Sequence, residues 1–101
     1  MIKGVSDVET GEHIVYIDNK ILSPTKSQQV YNHSPDGFCW GYGGSGPSQL
    51  ALALLLEFTN KEEAIKFYQE FKWEIVAKLP KESFELPKEK ILSWLEQRRN
   101  K

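Results

Sequence analysis

A run of glycines between an aromatic triplet and an apolar stretch carries the residues best suited to chemistry. Gly41-Tyr42-Gly43-Gly44-Ser45-Gly46 follows Phe38-Cys39-Trp40 and leads into Pro47, Ser48 and Gln49. Glycines let the main chain turn sharply or lie flat against a ligand. Proline is best tolerated at the first helical position, so a helix is predicted to open at Pro47, with Gly46 or Ser45 as its N-cap. The next amides, at Ser48, Gln49 and Leu50, would carry the partial positive charge of a helix N-terminus and attract an anion. Gly43, Gly44, Ser45 and Gly46 add main-chain donors, and Ser45 and Ser48 add hydroxyls. Trp40 and Tyr42 flank the loop and offer faces on which a flat ring can stack. An anion site beside a ring site suits a nucleotide-derived ligand. The competing reading is structural: the glycines let a strand pack closely on the helix, and the aromatics fill the core.

Two named motifs fail here. The loop satisfies G-x-G-x-x-G literally, but the chain upstream reads as hairpins rather than the βαβ crossover of a dinucleotide fold. A P-loop needs lysine where Pro47 stands. His33 with Asp36 offers an acid–base pair near the loop, and His33 joins the candidate ligand residues, although Asn32-His33-Ser34-Pro35 also reads as turn chemistry. Cys39 between Phe38 and Trp40 reads as a buried thiol, His13 as a surface strand residue. Two histidines and one cysteine, widely spaced, make no zinc pattern. No nucleophile–base–orienter set is visible, so no catalytic residue, metal or cofactor is expected, and binding without turnover is the expectation.

The elements that would position this loop follow from periodicity. Ile2 to Val5 and His13 to Ile17 suit short strands, Asp18-Asn19-Lys20 a hairpin turn before Ile21-Leu22. Pro24 argues against helix across Ser23 to Ser27, and Gln29 to His33 suits another strand. Phe38 to Trp40 completes an N-terminal antiparallel sheet. From Gln49 the run Leu-Ala-Leu-Ala-Leu-Leu-Leu is apolar on every side, which predicts a helix buried on every side. Asn60 with Glu63 makes a variant capping box for the next helix, on which Ala64, Phe67, Tyr68 and Phe71 repeat at helical spacing. Trp73 to Leu79 alternates like a strand, Lys81 to Leu86 reads as loop, and Pro87 opens a final helix carrying Ile91, Leu92, Trp94 and Leu95. The expected class is α+β: an N-terminal antiparallel sheet, a buried central helix, a further strand and two amphipathic helices.

The 101 residues suffice for one domain with one modest core. A net charge of −1, without a basic cluster outside the Arg98-Arg99 tail, argues against a nucleic-acid binder. The single cysteine fits a reducing cytoplasm. Met1 to Thr10 has no apolar core for a signal peptide. Leu50 to Leu56 falls far short of the roughly 20 residues of a membrane span. A small domain has little concave surface, so a pocket shared within a homo-oligomer is expected.

Asn32-His33-Ser34-Pro35, Gly37-Phe38, Trp40 to Pro47 and Gln49 to Ala53 together resemble a small domain of unknown function found in phages and prokaryotes. The similarity continues through Phe71 to Glu74 and Ala77 to Pro80 into the last helix. The resemblance implies no particular activity. By size and element order the chain also resembles, more loosely, phage anti-defence sponges, which bind cyclic or ADP-ribose-derived immune signals such as Thoeris messengers without cleaving them; that likeness is one of architecture. It implies sequestration of a phosphorylated nucleotide-derived signal at the glycine loop. The alternative is a protein–protein inhibitor or adaptor in which the loop is only structural.

Overall fold

The computed structural model describes residues 1–100. The apolar run predicted as the central helix is α2, Ser45–Phe58. Leu50, Ala51, Leu52, Leu54 and Leu55 are fully buried, and α2 packs against every other helix, α1 (Thr25–Val30), α3 (Lys61–Glu74) and α4 (Lys88–Arg99). Each leucine so buried contributes about 1.5–3 kcal/mol, which makes α2 the centre of the core.

One antiparallel sheet covers the remaining side. Its strands are β1 (Ile2–Ser6), β2 (His13–Ile17), β3 (Lys20–Ile21) and β4 (Ser83–Leu86), in the order β3-β2-β1-β4. Side chains alternate across a strand, and β1 and β4 follow that rule: Ile2, Phe84 and Leu86 are buried, Lys3, Val5, Ser83 and Glu85 exposed. The inward residues join the same apolar cluster as α2. Gly4 stands opposite Phe84, whose ring occupies the space a Cβ at position 4 would need. Asp18 and Asn19, both with positive φ, make the two-residue turn of the β2–β3 hairpin.

The α+β class is as expected, but four segments depart from their predicted states. Gln29 to His33 is not a strand, because Thr25–Val30 forms α1 directly after Pro24. Proline there starts the helix rather than blocking it, and the buried Ser27 hydroxyl donates to the Pro24 carbonyl at 2.8 Å. Phe38 to Trp40 joins no sheet. Trp73 to Leu79 is not a strand either. α3 runs through Trp73 and Glu74, and a 3-10 turn, Val76–Lys78, follows. The expected inward face is broken by Trp73, which stays 56% exposed. The supposed loop before Pro87 contains β4, which finds its partner in β1 at the other end of the chain.

Candidate functional site

The N-terminus of α2 opens two residues earlier than proline placement suggests, at Ser45, with Gly44 as N-cap. Gly44 has no side chain to offer, and no other side chain caps this end. The first intrahelical bond runs from the Ser48 amide to the Gly44 carbonyl at 3.0 Å. Pro47 has no N–H, so the Ser45 and Gly46 amides are left without an intrahelical acceptor. The expectation that Ser48, Gln49 and Leu50 supply the open amides is therefore corrected: the open end lies at Ser45 and Gly46.

These two residues line a groove of about 570 Å³. One wall comes from β2, β3 and the turns around them, with Glu12, His13 and Leu22; the other from the loop before α2, with Asp36, Cys39 and Tyr42. Gly46 lets the start of α2 lie against the loop wall, since a Cβ there would stand 2.6 Å from the Cys39 Cβ and 3.0 Å from its amide nitrogen. Tyr42 is 46% exposed. Its ring lies over Gly44, where a Cβ would come within 2.5 Å of it. Partial burial and the neighbouring Cys39 thiol push the Tyr42 phenol above its ordinary pKa, so it remains a neutral donor at physiological pH. The lining includes two carboxylates, Glu12 and Asp36, and no lysine or arginine. An anionic group therefore has the helix amides and the Ser45 hydroxyl to meet it, while the carboxylates are acceptors suited to hydroxyl or amino donors.

The predicted site residues divide. Tyr42, Ser45 and Gly46 come together at the groove. Trp40 does not: it is 1% exposed, wedged edge-on between His13 (centroids 5.0 Å apart) and Phe84 (4.9 Å). Its flanking role is replaced by a core role, as aromatic residues next to a tight turn commonly take. Its Nε1 has no hydrogen-bond partner among the described residues. Ser48 is buried on the first turn of α2. Gly43 lies beneath the Trp73 ring, 2.1 Å from where its Cβ would be. At both Gly43 and Gly44, therefore, absence of a side chain makes room for one of the protein's own rings.

Gln49 has the clearest change of role. It is fully buried, and its side chain uses its whole hydrogen-bonding capacity. Oε1 accepts from the His33 amide at 2.8 Å and the Ser34 amide at 3.0 Å. Nε2 donates to the Ser27 hydroxyl at 2.9 Å and the Tyr31 carbonyl at 3.0 Å. It sews the α1 region to the central helix instead of meeting a ligand. His33 is also engaged, with Nε2 2.8 Å from the Tyr68 hydroxyl. It does not line the groove, whereas Asp36 does, so the two are not an acid–base pair within one site.

Sequence reasoning missed Glu12 and took His13 for a surface residue and Cys39 for a buried one. His13 and Cys39 are both half-buried and line the groove. The available signal was the hairpin itself: a strand pair that short leaves part of β2 uncovered, and what faces that gap becomes a wall. Among the described residues no group of His, Cys, Asp and Glu is placed to hold a metal ion, and no helix is long and apolar enough to cross a membrane.

Neither the curated proteins nor the solved structures contain a match to this sequence. A protein-family description does match, over residues 3–97, nearly the whole chain, and through the glycine loop, the groove walls and all four helices. The protein belongs to the family of unknown function DUF6166.

Proposed function

We propose that this protein binds a phosphorylated, nucleotide-derived small molecule in the groove between the β2–β3 hairpin and the N-terminus of α2, and holds it without turnover. The observation that carries the reading is the uncapped start of α2 opening onto a groove of about 570 Å³ beside an exposed tyrosine. That volume lies within the roughly 300–1,000 Å³ range of small-molecule sites. A phosphate would meet the Ser45 and Gly46 amides and the Ser45 hydroxyl, where the helix dipole favours negative charge. A ring would lie against Tyr42 in place of the buried Trp40. Sugar hydroxyls would donate to Asp36 and Glu12, which keeps the carboxylates away from the phosphate. A second copy of the chain closing the open side would make the site a homo-oligomer's. If a phage encodes the chain, sequestering a nucleotide immune signal in the host cytoplasm is the role that needs only binding.

Calorimetry against cyclic ADP-ribose isomers, ADP-ribose and cyclic oligonucleotides tests this. At least one is expected to bind, and Gly44→Asp, which puts a carboxylate over the open amides, is expected to abolish the heat. No binding across the panel by folded protein overturns the reading.

One observation favours a different role. Trp73, 56% exposed, and Tyr42, 46% exposed, each lie over one of two adjacent glycines, Gly43 and Gly44, and keep an aromatic face open to solvent. Such residues dominate the energetics of protein–protein contacts, so an inhibitor or adaptor docking through this patch is the second reading. Trp73→Ala separates the two: it would remove partner binding under the second reading and leave small-ligand binding intact under the first.

A further inference from the structure

The β2 wall of the groove carries main-chain groups that the fold leaves unpaired. In the β1–β2 ladder, the Asp7 amide donates to the Glu12 carbonyl at 2.8 Å and the Asp18 amide to the Met1 carbonyl at 3.1 Å. The register pairs Val5 with Ile14 and Ser6 with His13. Main-chain groups alternate sides along a strand, so Glu12, Ile14 and Tyr16 face β1, while His13, Val15 and Ile17 face the other way. The other side bears this out: the Val15 carbonyl accepts from the Leu22 amide at 2.8 Å. One step further along the hairpin, the residue that would face His13 is Pro24, which has no N–H, and the chain has already turned into α1. His13 and Pro24 both line the groove. The His13 N–H and C=O form no hydrogen bond among the described residues and face the space between these walls.

Resting on the binding role argued above, we infer that the His13 N–H and C=O read the planar edge of the ligand's base. A strand residue presents one donor and one acceptor side by side, which complements an acceptor next to a donor, as on the N1 and N6 edge of adenine. The unpaired edge is one residue long. An added peptide strand needs a run of such positions, so the gap fits a small planar group and not a β-strand. The His13 ring takes no part, since it packs edge-on against Trp40.

The test uses the whole chain with ADP-ribose as probe. Amide hydrogen exchange read residue by residue is expected to show a fast-exchanging His13 N–H in the free protein and protection of about tenfold or more at saturation. N6,N6-dimethyl-adenine ADP-ribose, which lacks the N6 donor, is expected to bind about fivefold or more weakly. His13→Pro removes the N–H on the side that the ladder does not use; it is expected to weaken ADP-ribose and leave ribose 5-phosphate unchanged. Should ADP-ribose bind and perturb Tyr42 and Ser45 while His13 exchange and the dimethyl analogue's affinity stay unaltered, the base contact is overturned and the groove reading survives. Should neither ADP-ribose nor ribose 5-phosphate bind, the base contact is overturned, and the groove reading falls with it if the cyclic nucleotides fail as well.

Discussion

α2 and α3 are both 14 residues long and lie against one another, yet their N-termini are finished in opposite ways. At α3 the Asn60 side chain accepts from the Glu63 amide at 2.9 Å, and two glutamates occupy the first turn. Glu63 then bonds Arg99 of α4 through two contacts of 2.7 Å and also the Thr59 hydroxyl, which ties this capped end to the last helix. At α2 there is neither a capping side chain nor an acid in the first turn. Helix starts of this kind bind anions because their donors have nothing else to bind. The same end-group problem is met by a side chain at α3 and left open at α2. A glycine N-cap in place of Ser, Thr, Asn or Asp gives up only a few tenths of a kcal/mol, and the groove is where that small sacrifice would be recovered.

The contrast can be broken most severely from behind. Gln49→Leu removes all four bonds by which α2 holds Ser27, Tyr31, His33 and Ser34, stranding two amides and a carbonyl. Buried groups left unsatisfied cost about 1–3 kcal/mol each before relaxation, so a total loss of about 3 kcal/mol or more is expected in urea denaturation. A variant as stable as the parent would show that the network is not what fixes the Asp36 wall.

A milder variant compares the caps directly. Asn60→Ala should cost about 1 kcal/mol of stability and leave ligand binding at the groove unchanged. Gly44→Asp should do the reverse, with stability held within about 0.5 kcal/mol by the new cap and binding lost. Position 44 has φ −140°, which any residue adopts, and only the exposed Tyr42 ring must move aside. Equal effects of the two variants on stability and binding would erase the distinction between a closed end and an open one.

The smallest effect is electrostatic. Hydrogen bonds from Arg99 and then Thr59 lower the Glu63 pKa from 4.5 to about 2. The folded-state value is below the unfolded one, so this contribution is complete above pH 4.5 and is lost as the pH falls toward about 2. Arg99→Ala should flatten the dependence of the thermal midpoint across that window, a modest change because the pair is solvent-exposed. No comparable acid-dependent step is expected from Gly44→Ala, which removes no ionisable group.

Much of this architecture is legible from local chemistry. The buried central helix follows from a run with no polar face, the α3 cap from Asn60 and Glu63, and the hairpin turn from Asp18-Asn19. What local reasoning misreads depends on distant partners. Ser83–Leu86 has strand alternation, but its strand state comes from pairing with β1, which no nearby residue announces. Trp73 to Leu79 alternates like a strand, whereas α3 runs on through Trp73 and Gly43 offers its ring a resting place on the surface. At the glycine loop, the sequence offers two rings and does not say which one stays near the surface. Trp40 and Tyr42 are two residues apart in sequence, and only packing decides that one fills the core while the other stays at the groove.

The strand order has a consequence for how the protein is made. Because β4 emerges from the ribosome long after β1 and β2, a growing chain carries a half-finished sheet whose β1 margin is bare until Ser83–Leu86 arrives. During that interval β1, β2 and β3 are all available to pair with one another, so the strands of the groove wall are older in biosynthetic time than the completed sheet. Nascent chains stalled before β4 should therefore be the species that chaperones hold and that self-associate through strand pairing.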